Sequence, residues 1–271
     1  MSKFKRNERI AAMTQTLVNA PSRVFTLTYF TEVFSSSKST ISEDLVIIKD
    51  IFKQQQLGRI ETITGAAGGV KYIPIISKEK KASLIQSLKD ELSQPSRRIP
   101  GEMIYLGDIL FNPFYVKPLG AIFAEQFLDC SIDYVVTVET KGIPLALKTA
   151  QALNVPLVVF RNSFKADDGS TISIHYQSGS DGRLKTMYAP KRAIQKGSRV
   201  LIIDAFMRVG GTLKGMVSLV EELESEVVGK GVLFDEKTVK EKMVKDYYRI
   251  FSVNPSQPSH MVTIETDLLN H

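Results

Sequence analysis

Leu201-Ile202-Ile203-Asp204-Ala205-Phe206-Met207-Arg208-Val209-Gly210-Gly211-Thr212 decides how the larger part of this 271-residue chain folds. An apolar strand at 200–203 ends in an acidic residue, and a short loop then reaches Gly210-Gly211-Thr212 at the start of a helix predicted over 212–224. Successive glycines let a backbone turn closely around an anion, leaving several N–H groups convergent. Thr212 adds a hydroxyl while starting the helix, whose N-terminal N–H groups also favour phosphate. Asp204 is placed to accept hydrogen bonds from ribose hydroxyls or to hold a hydrated magnesium ion. No Gly-Lys-Ser/Thr follows, so the loop is not a Walker A motif, and the GxGxxG spacing is absent. Gly-Gly-Thr alone is a weak signal. A strand, an aspartate and Gly-Gly-Thr at this spacing form a strong one, the alternative being a purely structural strand-to-helix turn.

Outward from this loop, apolar strands at 134–138, 157–160 and 228–234 alternate with helical stretches at 144–153 and 212–224. That rhythm predicts a mainly parallel sheet covered by helices. Residues 165–191 interrupt it with polar, glycine-containing sequence, including Asp167-Asp168-Gly169 and Gly179-Ser180-Asp181-Gly182. With candidate strands at 173–177 and 184–188, this segment reads as an excursion hairpin outside the core. Gln94-Pro95-Ser96-Arg97-Arg98-Ile99-Pro100-Gly101 breaks the preceding helical pattern. The expected organisation is a domain at 1–76, a linker helix and loop at 77–100, and the α/β domain at 101–271.

The first domain has a different order. A helix from about 7 to 19 carries Ile10, Met13, Leu17 and Val18 on its apolar face and stops at Asn19-Ala20-Pro21. A short helix at 27–34 follows, burying Leu27, Phe30 and Phe34, and then a polar turn, Ser35-Ser36-Ser37-Lys38-Ser39. A third helix at 40–56 is predicted to start with Thr40 and Glu43 as a capping box, with Ile41, Leu45, Ile48 and Phe52 inward. Ile60, Thr62 and Thr64 alternate with Glu61, Ile63 and Gly65 before a turn at Ala66-Ala67-Gly68-Gly69, and the chain returns through Val70 to Ile76. Three helices and a hairpin in this order describe a winged helix-turn-helix. The second helix of the helix-turn-helix itself, here the third of the chain at 40–56, is the one expected to enter the major groove with its N-terminal residues nearest the bases.

Charge points the same way. The chain has a formal net charge of +6, and residues 1–80 hold 12 Lys/Arg against 7 Asp/Glu. A basic excess confined to one small unit favours a polyanion. Lys38, Ser39, Thr40 and Ser42, with Glu43, open the third helix, and Lys49 lies further along it. Lys5, Arg6 and Arg9 suit phosphates better than base edges, and Arg59 and Lys71 stand at the mouth of the wing. The plainer alternative is that the hydroxyls only cap a helix and the cations only solvate a surface. Elsewhere the chain has no apolar run near the roughly 18 residues of a membrane span. Its N-terminus has no signal-peptide pattern, and the single cysteine, Cys130, fits a reducing, cytoplasmic setting. His175, His260 and His271 have no metal-ligand spacing, and Phe111, Phe114, Phe123 and Phe127 read as packing residues.

The 201–212 stretch resembles the signature of the phosphoribosyltransferase family for 5-phosphoribosyl-1-diphosphate (PRPP), two adjacent acidic residues followed by a loop ending in Gly-Gly-Thr. Val138-Glu139-Thr140-Lys141-Gly142 resembles that family's earlier diphosphate loop, again after a strand and before a helix. From about Arg6 through the last strands the chain is similar to the purine operon regulators of Gram-positive bacteria, in which a winged helix precedes a phosphoribosyltransferase-like domain. The resemblance implies a homodimer that binds double-stranded operator DNA and responds to PRPP, with Mg2+ as a companion ion and guanosine tetraphosphate as a competing ligand. It implies repressors or activators and places Asp204 at the ribose hydroxyls. Ala205 and Phe206 then lead into Arg208, Val209, Gly210, Gly211 and Thr212 around the 5-phosphate. Thr140, Lys141 and Gly142 meet the diphosphate, and Tyr105 flanks the pocket. Ala205 departs from the signature, which has a second acidic residue there. An active purine phosphoribosyltransferase is the rival reading, with residues 165–191 as the closing segment such an enzyme requires.

Overall fold

Thr26 and Ser37 start two of the three N-terminal helices, each through its hydroxyl. In a computed structural model describing residues 4–65, 68–99, 103–178, 182–254 and 263–266, α1 spans Arg6–Asn19, α2 Leu27–Phe34 and α3 Lys38–Gln54. The Thr26 side chain accepts from the Tyr29 backbone N–H at 3.1 Å, and Ser37 accepts from that of Thr40 at 3.2 Å. The expected cap at Thr40 and Glu43 is therefore corrected. Ser35 closes α2 in the left-handed conformation, which leaves Ser37 extended and aimed at the next turn. Five of the six residues from 35 to 40 carry hydroxyls, so the chain's exit from α2 selects the cap, not the residue type. Strands β1 (Arg59–Ile63) and β2 (Gly69–Ile73) pair antiparallel as the wing, while Ala66 and Ala67 of the expected turn lie outside the described residues. Met13, Leu17, Phe30, Ile41 and Ile48 form the centre of this core. Val18, expected on the inner face, is exposed.

The chain divides into two compact units, Met1–Lys78 with Gln151–Asn154, and Glu79–Ala150 with Val155–His271. Helix α4 (Lys78–Leu92) thus goes with the second unit, where Ile85, Leu88 and Leu92 are fully buried. A short antiparallel pair follows, β3 (Arg98–Ile99) with β4 (Met103–Ile104). Arg97, also buried, donates to both oxygens of Asp108, at 2.8 and 2.7 Å, and pairs with Glu91. These contacts hold the Pro-containing segment, expected as a linker, within the fold.

Helices α5 (Gly107–Leu110) and α6 (Pro113–Gln126) precede the sheet. Pro113 at the start of α6 is compatible with helix, because a first-turn N–H has no intrahelical partner. The main sheet is ordered β12-β11-β10-β9-β5-β6. It contains β5 (Tyr134–Val138), β6 (Leu157–Phe160), β9 (Arg199–Met207), β10 (Glu226–Glu236), β11 (Tyr248–Asn254) and β12 (Thr263–Glu265). All neighbours are parallel except β11–β12. Helix α7 (Ile143–Leu153) connects β5 to β6, and α8 (Gly211–Glu222) connects β9 to β10. The hairpin of β7 (Thr171–Gln177) and β8 (Leu184–Pro190) forms outside the main sheet. Strand burial explains the apolar runs: Val200 through Ile203 are fully buried between covering layers. No helix among the described residues is long and apolar enough to cross a membrane.

Candidate functional site

Strands β5 and β9 lie side by side, so the loops leaving their C-terminal ends open onto the same space. Ligands of open parallel sheets collect at this end. A cavity of about 730 Å3 sits here, within the range of small-molecule sites. Thr140, Lys141 and Gly142 line one part of it, and Arg208, Val209, Gly210, Gly211 and Thr212 line another. Asp204, Ala205 and Phe206 lie along the wall. Tyr105 is outside the lining and half-exposed, with Ile104 and Leu106 on the cavity instead. In this extended segment alternate side chains face opposite ways, and the Tyr105 N–H is held by the Arg97 carbonyl at 2.8 Å.

Each loop is fixed by contacts that spacing along the chain does not reveal. Glu139 Oε1 accepts from the Asn162 N–H at 2.7 Å, and the Glu139 N–H donates to the Phe160 carbonyl at 3.0 Å, which ties the first loop to the end of β6. Gly142 is packed so closely that a Cβ there would lie 2.4 Å from Thr137 Oγ1 and 3.2 Å from Asp204 Oδ1. In the second loop Gly210 has φ +99°, a conformation that glycine adopts without a Cβ clash. Arg208 Nε pairs with the buried Glu236 carboxylate at 3.0 Å. Lys242 Nζ donates to the Arg208 carbonyl at 2.6 Å, and the Met243 N–H to that of Val209 at 2.8 Å. Glu236, Lys242 and the cavity-lining Lys185 are the residues that sequence reading missed. Nothing in their local sequence marks them, because they come to the cavity or to its second loop from distant strands and connections.

Asp204 opens on the cavity yet is enclosed by protein. Burial pushes its carboxyl up to about 7, against the opposing pull of the Ala205 N–H, which donates to Oδ1 at 2.7 Å. Among the described residues no group of three His, Cys, Asp or Glu is arranged to hold a metal. His175 instead lies within hydrogen-bond distance of Thr186 across the β7–β8 hairpin, and His260 and His271 lie outside the described residues.

The first unit carries the second constellation. A groove of about 560 Å3 between α3 and the wing is lined by Lys38, Ser42 and Lys49 on one side and Ile60, Thr62 and Val70 on the other. Lys5, Arg6, Lys38, Ser39, Ser42 and Lys49 are exposed. Thr40 is half-buried, with its hydroxyl against that of Ser37 at 2.9 Å. Arg59 and Lys71 both pair with Glu61 of the wing, at 3.9 and 3.4 Å. Arg9 is the correction. Its guanidinium is buried against Asp44, which is itself wholly buried in the middle of α3, so Arg9 holds two helices together and is withdrawn from the phosphate-facing set. Val46, exposed on α3, was not singled out, although its place off the buried stripe of that helix was readable.

A winged helix whose third helix carries exposed cations, joined in one chain to a parallel-sheet domain with a cavity between the loops at its strand ends, defines a DNA-binding regulator built on a phosphoribosyltransferase-like fold. The description "Bacterial purine repressor, N-terminal" matches residues 5–74, and "Phosphoribosyl transferase domain" matches residues 111–265. The purine biosynthesis transcriptional repressor PurR of Bacillus subtilis is 45% identical over 252 residues, covering 93% of this chain and 88% of that protein. The purine biosynthesis transcriptional activator PurR of Lactococcus lactis is 38% identical over 251 residues, covering 93% of each. Adenine phosphoribosyltransferase from Saccharomyces cerevisiae superposes with a TM-score of 0.53 at 26% identity, covering 62% of this chain and 98% of that one. The chain belongs to the PurR family of purine biosynthesis regulators.

Proposed function

We propose that this protein is a homodimeric transcription regulator of purine biosynthesis genes whose grip on operator DNA is set by PRPP, bound with Mg2+ in a domain that performs no transfer chemistry. The observation that carries this reading is the single cavity shared by Asp204, the 140–142 loop and the 208–212 loop. Two anion-binding loops with a carboxylate between them suit a sugar bearing phosphate groups at both ends. Mg2+ keeps several waters and takes few protein ligands, so Asp204 with the ligand's own phosphates is a fitting donor set. Guanosine tetraphosphate offers the same combination of ribose and paired phosphates and competes for these loops. Ala205 supports the non-catalytic part, since it removes one of the two carboxylates that the transferase signature supplies.

An effector regulates only through unequal affinity for the two states it connects. Calorimetric titration of Mg2+–PRPP should therefore give affinities differing by about fivefold or more with and without operator duplex. Equal affinities would remove the sensor mechanism. Incubation with PRPP, Mg2+ and each common purine should release no diphosphate above a protein-free control, and protein-dependent release would restore the transferase reading.

Binding should also depend on pH. Ligand hydroxyls donate to the ionised carboxylate, and the Asp204 carboxyl is pushed up to about 7. PRPP affinity should thus rise about tenfold from pH 6 to pH 8, and Asp204→Asn should remove that step, separating it from titration of the ligand phosphates. In the ligand-free protein the sign reverses. The folded pKa lies above the unfolded value near 3.9, so the native state holds the extra proton and stability falls as pH rises from about 4 to 7. A flat affinity profile in the wild type would show that Asp204 does not change its charge against the ligand between pH 6 and pH 8, and loss of binding in Asp204→Asn then decides whether it bears the ligand at all.

A further inference from the structure

Helix α3 has an inner and an outer face. Ile41, Asp44, Ile48 and Phe52 are buried, and at 100° per residue Ser39, Glu43 and Val46 fall within about 60° of one another on the opposite side. Glu43 is free of the capping task expected for it, because Ser37 starts the helix. Its side chain is 71% exposed, and its Oε2 lies 3.8 Å from Arg6 Nη2. Arg6 is in turn anchored, its Nε donating to Asp44 Oδ1 at 3.1 Å, while Arg9 occupies Oδ2 of the same carboxylate. A wholly buried carboxylate therefore fixes a guanidinium at the rim of the helix, and that guanidinium stands beside an outward carboxylate.

A carboxylate on a surface that approaches DNA is repelled by phosphates unless it meets a donor. In the major groove the donor matched to an acidic side chain is the cytosine N4 amino group. The neighbouring Arg6 lowers the cost of bringing Glu43 near the backbone, and its outer edge is available to a phosphate. We propose that Glu43 determines specificity by accepting a hydrogen bond from a cytosine amino group of the operator, with Arg6, held by Asp44, as its positioning residue. This rests on the reading that α3 is the helix facing the bases.

The test is selection of binding sites from a random-sequence duplex library by the full chain and its variants. Glu43→Gln exchanges the carboxylate for an amide suited to adenine. It should lose about tenfold of cytosine preference at one position of each half-site and gain adenine there, with thermal unfolding unchanged because the residue is exposed. Arg6→Ala should weaken the same preference and lower the salt slope by about one. Unchanged base frequencies with Glu43→Gln, or an affinity change spread evenly over all sequences, would overturn the proposal. Ser42→Ala and Lys49→Ala identify which idea fails. If they alter binding while Glu43→Gln does not, the specificity assignment falls alone; if none of the three has an effect, it falls together with the reading of α3.

Discussion

Gly142→Ala should abolish most PRPP binding while leaving duplex binding near its wild-type strength. The added Cβ would sit 2.4 Å from Thr137 Oγ1, a wholly buried atom, and 3.2 Å from the Asp204 carboxylate. Neither neighbour is the loose end of a flexible chain, so the 140–142 loop must move away from the strand end. Losing two charge-assisted hydrogen bonds from that loop costs about 3 kcal/mol, roughly a hundredfold in affinity. Calorimetry with Mg2+–PRPP gives the loss directly, and a duplex-binding titration reports on the first unit in the same preparation. Affinity within about threefold of wild type would mean that the ligand does not use this loop. Overpacking of this kind also destabilises by about 1–3 kcal/mol, so a melting curve belongs beside the titration.

The second large effect concerns stability. Asp44→Ala should cost about 3 kcal/mol or more, because it strands the buried Arg9 guanidinium without its partner. Removing both charges by Asp44→Leu with Arg9→Met should recover much of that loss, since apolar residues of similar volume often replace a buried pair at little cost. Chemical denaturation of the single and double variants measures both. A single variant as stable as the wild type, or a double variant no better than the single, would show that this pair does not bind α1 to α3. The double variant should still bind duplex less tightly, because Arg6 loses the oxygen that anchors its Nε.

The Asp44 cluster shows why parts of the site were hidden. Arg6 and Arg9 are one turn apart in α1, and Asp44 is more than thirty residues away. Charged residues with helical spacing look alike whether they face solvent or a buried counter-ion. Only the packing of α1 on α3 separates the exposed Arg6 from the buried Arg9. The linker reading of α4 fails for a similar reason. A helix of mainly polar residues conceals Ile85, Leu88 and Leu92, whose burial depends on partners elsewhere in the chain.

Features written in local chemistry were legible in the chain before it folds. These are the alternation that makes a parallel sheet, the helix-helix-helix-hairpin order, the two loops after β5 and β9, and Asp204 before Gly-Gly-Thr. Each depends on backbone preferences and periodicities that act over a few residues. Tertiary structure alone decided what depends on distance through space. It turned Tyr105 off the cavity wall, and brought Glu236 and Lys242 onto the 208–212 loop. It also raised the Asp204 pKa to about 7. The physical reason is that burial and electrostatic pairing are properties of a neighbourhood, and the chain assembles that neighbourhood only when its strands come together in an order different from their order in sequence.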